Sequence, residues 1–469
     1  MPEAVVVGAG PNGLVAAITL ARAGWDVVVH EAAATIGGGT RSAELTEPGV
    51  VHDVCAAIHP LALASPALSA LPLAEHGLRW IHAPAPLAHP LDGGRATLLE
   101  RSVAHTALGL ADDGPAYERM LEPLVDAGHS IVEALLSPRR VPRTPIALAR
   151  FGMHALRPAR SSTEARFSTE AARALLAGSA GHSMLSLDAA GTAGYGLLLT
   201  LLGHVVGWPV AEGGSQRIAD ALTAVLRADG GEIVTEHEIT SLRDLPPADA
   251  TVLDVTPRQL LQIAADALPP RAARALGRYR YGPGVCKVDW VLDGPIPWES
   301  PDVARAGTVH VGGTLDEIAA GEAEVVAGRH PERPFVILAQ PTLFDPTRAP
   351  TGSHTAWAYC HVPSGSDVDR TNAIERQVER FAPGFRDRVR ARHTMTAARL
   401  ESYDANYVGG DINGGSGDLR QLFSRPVPSR RPWRTAVPGV YLCSSSTPPG
   451  GGVHGMCGWH AAQTVLRDA

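Results

Sequence analysis

The chain has 469 residues, 45% of them hydrophobic, and a formal net charge of −7. This supports a sizeable core and more than one small domain. The acidic balance argues against a nucleic-acid partner, whose phosphate backbone would be repelled. Nothing approaches the ~18 uninterrupted apolar residues of a membrane-spanning helix, and residues 1–30 show no charged-then-apolar leader. The five cysteines (55, 286, 360, 443 and 457) have neither CxxC nor zinc spacing. The expectation is therefore reduced thiols, no metal site and a cytoplasmic protein.

The first forty residues carry the strongest signal. Residues 4–8 (AVVVG) read as a buried strand. They run into Gly8-Ala9-Gly10-Pro11-Asn12-Gly13, a G-x-G-x-x-G. An Ala-rich stretch at helical spacing follows, then Gly24, then a second strand, DVVVH, ending at Glu31. This is a complete βαβ unit with an acid 18 residues past the last motif glycine. Gly8 permits a sharp turn, Gly10 a close approach to a pyrophosphate, and Gly13 the packing of helix on strand. The helix start, at Pro11 and Asn12, offers N–H groups to phosphate. Glu31 can accept from ribose hydroxyls. A dinucleotide is the expected ligand.

Six residues beyond Glu31 stands Gly37-Gly38-Gly39, with Arg41 close by. An acid followed by a glycine pair at this distance resembles the N-terminal signature of the FAD-dependent amine oxidase and phytoene desaturase superfamily. The resemblance implies FAD, with Gly38 and Gly39 along its ribityl and phosphate chain. Many members carry Arg directly after the glycine pair. Here Gly39 holds that place, which leaves Arg41 as the candidate phosphate ligand.

Residues 49–70 mix apolar residues with His52, Asp53 and His59, and the resemblance places this segment beside the flavin ring. His59 precedes Pro60 and so belongs to a turn or extended piece. Residues 72–100 read as strands and turns, and 113–136 as helix. Between Glu133 and Glu164 there is no acid but there are arginines at 139, 140, 143, 150, 157 and 160, interleaved with apolar residues. Two readings stand: a basic segment at 139–160 touching anionic lipid or rimming a substrate tunnel, or an Arg-rich solvated surface. Residues 166–210 read as helices. The stretch GYGLLLTLLGHVVGW is too short and Gly-broken to span a bilayer and suits a buried helix lining an apolar cavity, with His204 as a core histidine.

Residues 211–255 read as glycine turn, helix (216–228), strand (232–239) and strand (251–255). They resemble the superfamily's middle FAD segment, which implies that the backbone of Ile239 holds adenine. Residues 281–298 alternate as a strand through Lys287, the single lysine of the chain. Arginine serves elsewhere as the surface cation and cannot lose its proton, whereas a buried lysine can. In the resembled flavin amine oxidases a lysine on this strand holds a water near flavin N5, which makes Lys287 a flavin-side candidate. Strands are expected at 334–340 and 356–362, a helix at 371–381, and a Gly-rich loop near the substrate mouth at 406–417.

The chain ends with strand (439–443), a Ser/Pro/Gly turn and a helix (455–466). Gly450-x-Gly452-x-x-Gly455 matches the dinucleotide pattern formally but lacks a following strand and acid. It resembles the C-terminal FAD motif of the phytoene desaturase-like family, implying contacts from Ser444, Gly451, Gly452 and Val453, with His454 in the same turn. In the GGGVHGMCGWHAA ending and the GPGVCKVDW strand the chain most resembles the branch typified by pyridine nucleotide-disulfide oxidoreductase domain-containing protein 2.

The expected architecture is α/β. A Rossmann-like FAD-binding domain (glutathione-reductase/amine-oxidase type) is built from 1–70, 211–260 and 411–469. An interleaved α+β substrate domain is built from 71–210 and 261–410. The expected activity is FAD-dependent dehydrogenation or desaturation of a small apolar substrate, with oxygen or a quinone as acceptor. Lys287, His59 and His454 are the candidate catalytic residues. The alternatives are an amine oxidase, a redox-neutral flavin isomerase, and a non-catalytic flavin-bound scaffold.

Overall fold

A computed structural model describes residues 1–137 and 142–469. Its first sheet has five parallel strands. Glu3–Val7 lies at the centre, flanked by Asp26–His30 and then Glu232–Val234 on one side, and by Ala250–Leu253 and then Val440–Leu442 on the other. The chain thus returns to one sheet from three distant segments. The helix Pro11–Ala21 is almost wholly buried. It packs against the C-terminal helix Met456–Asp468 so closely that a methyl group on Gly458 would sit 1.8 Å from the carbonyl of Asn12. Only glycine allows that approach, and it closes the sheet's face with the last element of the chain.

The second sheet has seven strands. In spatial order they are Val389–Met395, Gly284–Leu292, His354–Val362, Val336–Ala339, Ala306–Val311, Ala85–Leu91 and Arg95–Leu99. All neighbours are antiparallel except Ala306–Val311 with Ala85–Leu91. Gly284–Leu292 is buried at every position, because both faces of the sheet are covered. Its alternation sends Cys286, Val288 and Trp290 into one core, with Ile374, Phe381 and Phe385. Val285 faces the other way, with Ile337, Trp357 and Tyr359.

Several expected elements are shorter or broken. The helix over 113–136 is two, Gly114–Val125 and Gly128–Leu136, with Pro123 near the break. The strand expected at 232–239 ends at Val234, so Ile239 is not its last residue. The backbone instead turns round Glu31: Glu31 N donates to Val234 O and His237 N donates to Glu31 O. Of the basic segment, Arg139 and Arg140 lie outside the described residues. The helix Pro145–Ala155 buries Phe151 and Ala155 and leaves Ile146 80% and Met153 62% exposed. Arg143 pairs with Glu133, and Arg160 pairs with Glu164 and Asp316. Acids absent from the segment itself are therefore supplied to both ends of it. Among the described residues no helix is long and apolar enough to cross a membrane.

One buried ion network joins the loop between the strands Val336–Ala339 and His354–Val362 to the nucleotide-side segments. Arg348, with no exposed surface, bonds Asp53 (3.0 Å), Asp345 (2.8 Å) and the carbonyl of Ala211 (3.2 Å). Asp53 in turn accepts from Ser215 N and Ser42 Oγ at 2.7 Å each. Removing the cation would leave two buried carboxylates uncompensated. Arg348→Met should therefore lower stability by about 3–5 kcal/mol, read as a large fall in the first thermal transition. A transition unchanged within a degree or two would show the network to be dispensable.

Candidate active site: a cavity between the two sheets

The carboxyl ends of the first sheet's strands and one face of the second sheet enclose a single cavity of about 300 Å³. Its near end is made by turns: Gly10, Pro11 and Asn12, then Gly38 to Thr40, then Ser444 to Ser446 with Gly452 and Val453. Ligands of open parallel sheets bind at such carboxyl ends. Residues 55–61, expected from the resemblance beside the ring, form part of the wall, as do Asn406, Tyr407, Asn413 and Gly414 of the Gly-rich loop. The far end is apolar and aromatic, with Leu199, Trp208, Ile337, Trp357 and Tyr359.

The near end has the features a dinucleotide needs. A methyl on Gly13 would lie 2.0 Å from Gly8 O, so the first helix packs on its strand only through glycine. The buried Oδ1 of Asn12 has no protein partner. Glu31 is buried at the end of its strand, where Oε2 accepts from Ala9 N (2.8 Å) and Oε1 accepts from Ala33 N and Arg41 Nη2 (3.0 Å each). Arg41 is therefore committed to Glu31 and to the Thr35 carbonyl (3.0 Å). It orients the acid through Nη2, a bond that leaves Nη1 uninvolved.

Two further acids stand here that sequence reasoning did not single out. Asp254 ends the strand Ala250–Leu253 and accepts from Gly13 N at 2.9 Å. It lies where a methyl on Gly10 would be 3.0 Å from its Oδ2. Burial, with the charges of Asp404 and Glu31, pushes its carboxyl up to about 7, against the hydrogen bond from Gly13. Burial likewise raises Asp404, beside Gly38.

The three catalytic candidates fare differently. His59 caps the short helix Pro60–Leu63 and lines the cavity. Its Nε2 is 2.8 Å from Ser215 Oγ, its buried Nδ1 has no partner, and burial brings its pKa down to about 4. His454 does not fit the role of proton acceptor. Its Nδ1 accepts from Met456 N (3.0 Å) and its Nε2 donates to Gly450 O (3.2 Å), so both ring nitrogens are spent on the C-terminal turn. Only its neighbours Gly452 and Val453 reach the cavity.

Lys287 is not a surface cation. It is 2% exposed, and its Nζ bonds Asp289, two residues along the same face. The Nζ lies 5.8 Å from the centre of the Trp357 ring. Trp357 lines the cavity and Lys287 stands behind it. His52 and His393 approach Asp289 at 3.6 and 3.8 Å. The side chain of Ile239, whose backbone is the part expected to hold adenine, packs in the core with Val5, Val7 and Leu253.

The missed wall residues had a faint signal. Trp357 and Tyr359 alternate in the strand AWAYCHV and share a face, but alternation alone does not say which face meets a cavity. Asp254 and Asp404 carried none, because the glycine turns they stand against, at Gly13 and Gly38, are hundreds of residues away.

Comparison with known proteins agrees with this architecture. Residues 6–71 match the family model described as an NAD(P)-binding Rossmann-like domain. Pyridine nucleotide-disulfide oxidoreductase domain-containing protein 2 of Rattus norvegicus is 27% identical, over 99% of this chain and 93% of its own length. The phytoene desaturase (neurosporene-forming) of Rhodobacter capsulatus is 26% identical over 56% of this chain and 54% of its own. An oxidoreductase structure from Methanosarcina mazei covers 99% of this chain and 100% of its own, with a TM-score of 0.65 and 17% identity. Putrescine oxidase bound to putrescine covers 100% and 98%, with a TM-score of 0.61 and 17% identity. The fold is that of the flavin amine oxidases. The sequence is similar along its whole length to the oxidoreductase-domain relative, and over half of it to the desaturase.

Asp254 gives a sign-definite prediction. Between pH 4 and 7 the folded chain keeps a proton on this carboxyl that the unfolded chain has lost, so stability falls as pH rises through that range. Asp254→Asn removes the effect. The melting temperature of the variant, relative to the parent, should climb from pH 4 to 7 and level off above. A difference that does not vary with pH would contradict the assignment.

Proposed function

We propose that the protein is an FAD-dependent dehydrogenase of a small apolar substrate. The supporting observation is a single cavity that runs from three glycine- and serine-bearing turns to an aromatic wall on the second sheet. FAD comes from the resemblance and the relatives. The chain's own residues suit it: a glycine-lined approach, an unpartnered Asn12 oxygen and a buried, oriented Glu31.

Gly8, Gly10, Pro11, Asn12 and Gly13 would hold the pyrophosphate, with the start of the first helix lending positive potential. Glu31 would take the adenosine ribose. Gly38 and Gly39 would lie along the phosphate and ribityl chain, and Ser444, Gly451, Gly452 and Val453 at the ring's polar edge. Bound there, a flavin supplies the two-electron acceptor for a C–H bond. The rest is done by the walls. Trp357, Tyr359, Trp208, Leu199 and Ile337 exclude water and bind an apolar substrate. Lys287, held by Asp289 behind Trp357, supplies a buried positive charge next to the cavity. Oxygen or a quinone would reoxidise the cofactor.

The runner-up is an amine oxidase, favoured by the buried lysine. For the exposed face of Pro145–Ala155, where Ile146 and Met153 stand beside Arg150 and Arg157, we propose peripheral contact with anionic lipid.

The purified protein, incubated with FAD, should show flavin absorbance. Gly10 has an ordinary backbone conformation (φ −74°) and a single methyl there would stand 3.0 Å from Asp254 Oδ2, so Gly10→Ala should keep the fold while narrowing the approach. Flavin binding on the order of 100-fold weaker, roughly 2.7 kcal/mol, is expected. A colourless protein after incubation with excess FAD would refute the reading. Lys287→Met should slow reoxidation by oxygen, measured after photoreduction; an unchanged rate removes Lys287 from the site. Pelleting with phosphatidylserine vesicles should be strong at low salt and weak at high salt, and salt-independent behaviour would return the segment to plain surface.

A further inference from the structure

The far wall of the cavity carries hydrogen-bond donors that nothing in the protein accepts. Trp357 and Tyr359 alternate on the strand His354–Val362 and share the face that lines the cavity. Their rings meet edge to face, with centres 5.2 Å apart. Ala339 and Ile337 stand opposite them on the neighbouring strand, and Thr308 stands opposite Ala339 on the next. Opposite residues of an antiparallel pair share a face. Thr308, Ala339 and Trp357 therefore form one row across three strands, with Ile337 and Tyr359 in the next row.

The indole Nε1 of Trp357 is buried without a partner, and so is Thr308 Oγ1. The Tyr359 hydroxyl makes no hydrogen bond among the described residues, although Tyr359 is only 8% exposed. Elsewhere the chain satisfies such groups. Trp208, Trp290, Trp298 and Trp433 each donate Nε1–H to a protein oxygen at 3.1 or 3.2 Å. Tyr117, Tyr195 and Tyr279 likewise place their hydroxyls on protein atoms. A buried N–H with no acceptor loses its hydration without compensation, so unmatched donors gathered on one cavity wall point to a ligand.

We propose that these groups receive the substrate, and that it is an uncharged, otherwise apolar molecule whose carbonyl oxygen accepts from Trp357 Nε1–H and from the Tyr359 hydroxyl. The proposal deepens the reading above. It rests on that reading for the oxidation of the bound molecule, and not for its binding. An indole N–H only donates, so its partner must accept. A carbonyl oxygen has two lone pairs and no proton of its own, and can take both donors at once. Burial, with Cys55 and Glu322 nearby, pushes the Tyr359 phenol above its ordinary value, so it keeps its proton to donate.

The charges around the wall argue against an ionic substrate. An ammonium group brings donors only, and would meet Trp357 donor to donor. Lys287 Nζ also stands 5.8 Å from the centre of the Trp357 ring, where it opposes a second cation on that ring. The acids that line the cavity, Asp254 and Asp404, belong to its near end. A carboxylate finds no free cation either, because Lys287 is paired with Asp289. It would be buried as an uncompensated charge.

Three ligands of similar shape test this on the FAD-loaded protein: cyclohexanone, methylenecyclohexane and cyclohexylamine. Calorimetry should give cyclohexanone a Kd on the order of 10-fold below those of the other two. Its carbonyl infrared band should move to lower frequency on binding. Tyr359→Phe and Trp357→Phe each keep an aromatic ring and remove one donor. Each should weaken cyclohexanone by roughly 3- to 10-fold, leave methylenecyclohexane unchanged, and return the band toward its position in hexane. Variants that weaken ketone and hydrocarbon alike, with the band unmoved, show a packing role only and overturn the proposal. Tighter binding of the amine, or a ketone that binds no better than the hydrocarbon, overturns the substrate class. Should one variant fail to fold, the other decides. Protein that takes up no FAD refutes the reading of the near end, while the ketone and its band still decide the far wall.

Discussion

The site depends on one buried cation. Arg348 reaches out of the loop that follows the second sheet's strand Val336–Ala339 and closes on Asp53 and Asp345. Asp53 then fixes Ser215 and Ser42, and Ser215 fixes His59. Through this chain of bonds the cavity's near wall is registered against the sheet that forms its far wall. A guanidinium suits the task because it presents several donors in one plane and stays charged when buried. Such a network contributes little net stability compared with apolar packing, but it tolerates few alternative geometries, since any displaced carboxylate would be buried and unpaired.

The two ends of the cavity differ in electrostatic character. The near end gathers Glu31, Asp254 and Asp404 around glycine turns, with Arg41 as the cation that bonds one of them directly. Burial disfavours the charges of Asp254 and Asp404, which makes the pocket less hostile to phosphate than three carboxylates would suggest. The far end holds aromatic rings and neutral histidines. Burial lowers His59, His89 and His182 far below the usual histidine range, so these rings act as neutral donors and acceptors at any ordinary pH. The hydride transfer proposed for this site would gain from this division. Charge is handled where the nucleotide is expected, and water is kept from the reacting carbon.

The strand Gly284–Leu292 joins these regions. Its regular alternation puts Trp290 and Lys287 on opposite faces, one in a core and one behind the cavity wall. The single lysine is thus held by an acid two residues along the same face. That geometry was implicit in the pattern Lys-x-Asp, although the sequence alone could not tell a buried pair from an exposed one.

Local rules made the first half of the site legible. The βαβ unit, its glycines and Glu31 were readable because each acts within some thirty residues, through a turn, a helix start and a strand end. The strand bearing Lys287 and the closing glycine turn were readable for the same reason. What remained out of reach was every pairing made across the chain. Glu31 meets Arg41, Asp254 meets Gly13, and His182 meets His310. His454 was misjudged because a histidine in a glycine turn looks available until its two nitrogens are traced to Gly450 and Met456. Periodicity tells which residues share a face, and composition tells that a core exists. Which face lines a cavity, and which buried donor finds an acceptor, is decided by atoms brought together only when the sheets pack, and so by the tertiary structure alone.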